Sequence, residues 1–62
     1  MKRDLINIRI LSHRLRMPIA WLEQEATTNR IPAIKVGDEF FFNYHAVEKV
    51  LLKRAKESNT NE

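Results

Sequence analysis

The chain has no cysteine, one glycine and two prolines among 62 residues. Without thiols there is neither a disulfide staple nor a thiolate metal site, and nothing points to a secreted, cross-linked miniprotein. With a single glycine there is no Gly-rich phosphate loop. No apolar run approaches the roughly 20 residues of a membrane span. The N-terminal MKRDLINIRI is charged and too short of apolar residues to read as a signal peptide. The expectation is a soluble, cytoplasmic protein. No nucleophile stands beside an evident base, and no two carboxylates are held together by spacing. His13 and His45 fall in different elements, far short of the three or four converging ligands a metal needs. Neither an enzyme nor a cofactor is expected.

What is present is a modest excess of positive charge, 11 Lys and Arg against 8 Asp and Glu, for a net charge of +3. That balance permits nucleic-acid binding without demanding it. A chain of this length buries only about 60% of its unfolded surface, so one small core must hold the domain.

Asn7 is a good helix N-cap, and behind it Ile8, Leu11 and Leu15 recur at spacings of three and four. These predict a first helix over 8–16, with Arg9, His13 and Arg16 on another face. Met17-Pro18 interrupts it, because an interior proline lacks the required N–H yet suits a first turn. A second helix is expected over 18–28, with Ile19, Leu22 and Ala26 as its buried stripe and Trp21 beside it. Ala20, Glu23, Gln24 and Thr27 face the other way. Asn29 tolerates the left-handed conformation that closes many helices, and Pro32 discourages continuation. Two short helices joined by a tight break form a helix-turn-helix arrangement.

The lone Gly37 lies between IPAIKV and EFFFN, two β-prone runs that read as a hairpin. A two-residue Gly37-Asp38 turn would pair Val36 with Glu39 and place a carboxylate on the apolar side. A three-residue loop through Glu39 would pair Val36 with Phe40 and Ile34 with Phe42, sending all four to the core and leaving Lys35 and Phe41 outside. The second register is the expected one. Asn43 then caps a third helix over 44–56, which returns Val47, Val50, Leu51 and Ala46 to the core. Lys49, Lys53 and Lys56 recur along another face, with Arg54 nearby. Residues 57–62 read as a frayed polar tail on a 1–56 domain. The fold class is α+β, in the order helix–helix–hairpin–helix.

The pieces from about Ile6 to Ala55 resemble the excisionase-type winged helix-turn-helix domains, relatives of the DNA-binding domains of MerR-type regulators. A short first helix, MPIAWLEQEA, NRIPAIKVG, the strand FFF and the closing AVEKVLLKRA carry the resemblance. Its most specific element runs from Arg30-Ile31-Pro32 to Gly37. The resemblance implies sequence-specific binding to double-stranded DNA, the second helix entering the major groove and the hairpin serving as a wing. It implies a role as a recombination directionality factor beside an integrase, or as a small transcription regulator. Carried over by position, the groove-facing residues are Ile19, Ala20, Glu23, Gln24 and Thr27. Arg14, Arg16, Arg30 and Lys35 supply positioning contacts.

The charge pattern keeps a second reading open. Between Arg16 and Arg30 there is no cation, and the hairpin tip is Asp38-Glu39, whereas phosphate affinity comes from Lys and Arg. Glu can nonetheless accept from cytosine N4, and Gln can pair bidentately with adenine. The alternative is a protein-interaction module on the same fold, using Phe41 and the Glu23–Glu25 segment. Self-association on DNA fits either reading, because one such domain offers few contacts. Trp21 reads as core or half-core before it reads as a base-stacking platform. The lysine row of the third helix reads as a solvated face before a phosphate track.

Overall fold

Asparagine starts two of the three helices. The Asn7 side-chain oxygen accepts from the Ile10 N–H at 2.9 Å, and that of Asn43 accepts from the Ala46 N–H at 2.9 Å. Each satisfies a donor that the first helical turn leaves without a partner. In the computed structural model, which describes residues 5–58, the elements are β1 (Leu5–Asn7), α1 (Ile8–Leu15), α2 (Ile19–Thr27), β2 (Ile34–Val36), β3 (Glu39–Asn43) and α3 (Tyr44–Ser58). Three helices thus stand with a three-stranded antiparallel sheet of order β1-β3-β2, a small α+β fold.

The strand β1 is an addition to the expected two-stranded hairpin. Three residues are too few to show alternation in the sequence, and the strand is recruited by pairing, with Ile6 opposite Phe42. α3 runs two residues past its expected end at 56. The rest of the tail, 59–62, lies outside the described residues, as do 1–4.

The hairpin register differs from the expected one. A two-residue Gly37-Asp38 turn sets Val36 opposite Glu39, Lys35 opposite Phe40 and Ile34 opposite Phe41. Gly37 has φ +64° and Asp38 is not left-handed, the pattern of a type II′ turn, whose twist matches that of the flanking strands. Ile34 and Val36 therefore share the outer face with Phe41 and Glu39, and are 49% and 59% exposed. This register does put a carboxylate among apolar side chains. That face looks onto water, so Glu39 loses no hydration there. Phe40 and Phe42 do point inward, and Lys35 lies on their side of the sheet rather than outside with Phe41.

The core is Leu11, Leu22, Ala26, Ile31, Phe42 and Val47, with Ile8, Leu15, Val50 and Leu51 packed partly buried against it. Fully burying a side chain the size of Leu or Phe contributes about 1.5–3 kcal/mol. Leu11, Leu22, Phe42 and Val47 are the four that realise this in full. Ile19, expected in the buried stripe of the second helix, is exposed. As the first residue of α2 it extends past the core, and it lines a shallow surface with Arg9, Ile10 and His13 of α1.

Candidate nucleic-acid interface

The α1–α2 connection is tied by one serine. The Ser12 carbonyl accepts from the Arg16 and Met17 N–H groups, the latter at 3.2 Å, and the Ser12 hydroxyl donates to the Met17 carbonyl at 2.6 Å. Arg16 takes the left-handed conformation, φ 58°, that lets the chain reverse so tightly. Pro18 then caps α2 in an extended conformation, so the helix begins at Ile19 rather than at 18.

α2 has two chemically distinct sides. Leu22, Glu25 and Ala26 are buried, whereas Ile19, Ala20, Glu23, Gln24 and Thr27 are all exposed along one side. The spacing of these five, one and then three residues, is that of adjacent turns on a single face. Ala20, Glu23, Gln24 and Thr27 line one shallow surface together with Thr28. The Thr27 hydroxyl donates to the Glu23 carbonyl at 2.8 Å, and that of Thr28 donates to the Gln24 carbonyl at 3.0 Å. Both hydroxyl oxygens keep lone pairs for an incoming donor.

The end of α2 follows from Asn29, left-handed at φ 62°. The Asn29 N–H donates to the Ala26 carbonyl at 3.1 Å and the Arg30 N–H to the Glu25 carbonyl at 2.8 Å. This pair of bonds is a Schellman closure, which sets residues 25 and 30 side by side. Where such closures usually have an apolar contact, this one has an ion pair, Arg30 Nε to Glu25 Oε1 at 3.2 Å. The same oxygen accepts from Arg54 of α3 at 2.8 Å, and the Arg54 guanidinium lies 5.7 Å from the centre of the Trp21 ring. The Glu25 side chain is only 11% exposed, while that of Arg30 is 59% exposed.

This corrects the reading of Glu25 as part of an exposed acidic segment. Its charge is neutralised inside the fold, and Glu23 is the one carboxylate on the exposed side of α2. Trp21 is surface-lying, with a cation over its ring. Two of the other expected cations are also held. The Arg14 guanidinium lies 5.3 Å from the centre of the Tyr44 ring, and the Lys35 ammonium 5.5 Å from that of Phe40. Arg14 and Arg16 line a shallow polar surface with Ser12, His13 and Met17, distinct from the Gln24 and Thr27 surface.

Sequence reasoning missed Glu25, Arg54 and Ser12. For Glu25 a signal existed: position 25 falls on the stripe with Leu22 and Ala26, and a carboxylate there requires a cation. Its partner Arg54 lies 29 residues away, which no local pattern reveals. Among the described residues no three His, Cys, Asp or Glu side chains gather as metal ligands, and no helix is long and apolar enough to cross a membrane. Compared with known proteins, the chain matches no family model, no curated protein and no solved structure.

Proposed function

We propose that this chain is a sequence-specific, double-stranded DNA-binding domain of the excisionase-type winged helix-turn-helix class, serving recombination or transcription control. In this reading α2 enters the major groove and the β2–β3 hairpin is the wing. The supporting observation is the exposed side of α2: Gln24, Thr27 and Glu23 present base-reading chemistry on one face of a helix whose other carboxylate is neutralised internally. Arg14, Arg16, Arg30 and Lys35 contact phosphates around it, and Ile19 and Ala20 supply apolar contact at the start of the helix. The duplex is the main partner, with a recombinase or a second copy adding contacts that one small domain lacks.

The test is affinity for a generic duplex against salt. Four phosphate contacts give a slope of log K on log salt of about −3 to −4. A flat response at low affinity would remove the proposal. Amide shift changes on titration should cluster at Arg16, Gln24, Thr27 and Lys35.

One observation favours a second reading, protein interaction through the outer sheet face. Ile34 and Val36 lie exposed there beside Phe41. In that case Phe41→Ala weakens association with a partner or a second copy and leaves duplex affinity unchanged. Equal association by Phe41→Ala removes it.

A further inference from the structure

Arg30 is attached to Glu25 through Nε, at 3.2 Å. The remaining edge of the guanidinium, formed by its two terminal NH2 groups, can still grip phosphate bidentately. Glu25 is itself fixed. It is almost wholly buried, bonded to Arg54 at 2.8 Å from α3, and placed beside residue 30 by the backbone closure at Asn29. Two cations on one carboxylate leave one unit of positive charge over (2 − 1 = +1), at the end of α2 where Arg30 stands mostly in water.

We infer that Glu25 is a positioning residue for phosphodiester binding: it locks the Arg30 guanidinium by Nε so that the terminal edge is presented ready-made to the backbone of a duplex. The inference rests on the DNA-binding reading above. It assigns a role to a residue that touches no DNA. The two arms of the node have separate tasks. Arg54, packed over Trp21, secures the carboxylate and the fold, and Arg30 carries the contact. An arginine free in solution loses rotamer freedom on gripping phosphate, and one already held loses less.

The inference predicts a sign opposite to that of plain electrostatics. Glu25→Gln raises the net charge by one, so simple attraction would tighten binding to a polyanion. Loss of the lock instead weakens it. The experiment is anisotropy of the full chain on a labelled generic duplex across a salt series, with thermal melts to confirm folding. Expected results are weaker binding by Glu25→Gln with the salt slope kept, since Arg30 still meets phosphate, weaker binding by Arg30→Ala with a salt slope lower by about one, and a double variant that binds as Arg30→Ala does. Arg54→Met should lower the melting temperature and leave the slope unchanged. In the free wild-type chain the Arg30 Nε–H signal should be slow to exchange with water, and in Glu25→Gln it should be lost.

Should Glu25→Gln not fold, Arg30→Lys keeps the charge on an exposed position and cannot be held through Nε. It should bind more weakly than wild type. Tighter or unchanged binding by Glu25→Gln, or wild-type binding by Arg30→Lys, overturns the inference while the DNA-binding reading stands. No duplex binding by the wild-type chain overturns both.

Discussion

Helix α1 stops at a left-handed Arg16 and helix α2 at a left-handed Asn29, and across each stop the chain closes on itself five residues back. The backbone geometry is nearly the same, and the side chains that bridge it are not. At the first stop Ser12 makes a neutral 2.6 Å bond to the Met17 carbonyl, half-buried. At the second, Glu25 meets Arg30, and the cation stays largely in water. One closure fixes a corner, and the other also fixes a charged group in place. The same local device therefore serves architecture in one case and presentation in the other, and the choice lies in two side chains.

Four substitutions probe that contrast, beginning with the core on which both ends depend. Leu22 is fully buried in that core, and Leu22→Ala should cost about 3 kcal/mol in urea unfolding, within the usual range for such cavities. A loss under about 1 kcal/mol would mean the ends are held by their own bonds. Next, Asn29→Val forces a β-branched residue to positive φ and should cost about 2 kcal/mol. It should also lower duplex affinity, since residue 30 moves with the turn. Ser12→Ala removes a partly buried hydrogen bond and should cost about 1 kcal/mol, with the salt slope of duplex binding unaltered. The smallest effect has the opposite sign. Arg16→Gly relieves a left-handed arginine, and after the added freedom of the unfolded chain it should stabilise by about 0.5 kcal/mol. The same change should lower the salt slope by about one if Arg16 meets phosphate. A change in both stability and slope for Ser12→Ala would collapse the distinction between the two ends.

The sequence revealed best what a single residue decides locally. Asn7 and Asn43 as caps, and Asn29 as a left-handed stop, all follow from the short amide side chain, and each is found in that role. The existence of the hairpin and the inward direction of Phe40 and Phe42 followed from alternation. The register did not, because the apolar Ile34 and Val36 were assigned to the core face together with Phe40 and Phe42. Three helices cover only one side of this sheet, so the outer side was free to hold apolar residues and Glu39 together. Arg16 gave no sign of its backbone angle, since arginine has no preference for it and the turn at Ser12 imposes it. At the site, the exposed side of α2 was legible from helical spacing, apart from the conflict over Ile19. The bond from Glu25 to Arg54 was not, because it joins elements far apart in the chain.

The hairpin tip has one more consequence, and it concerns handedness. Gly37 sits exposed at φ +64°, where mirror-image amino acids are at ease for the same steric reason that ordinary ones are not. A chain of this size is within reach of chemical synthesis, so D-alanine at position 37 could stiffen the bend without touching any of the surfaces discussed above. The chain's sole achiral residue is thereby also a place where its chirality can be inverted with profit.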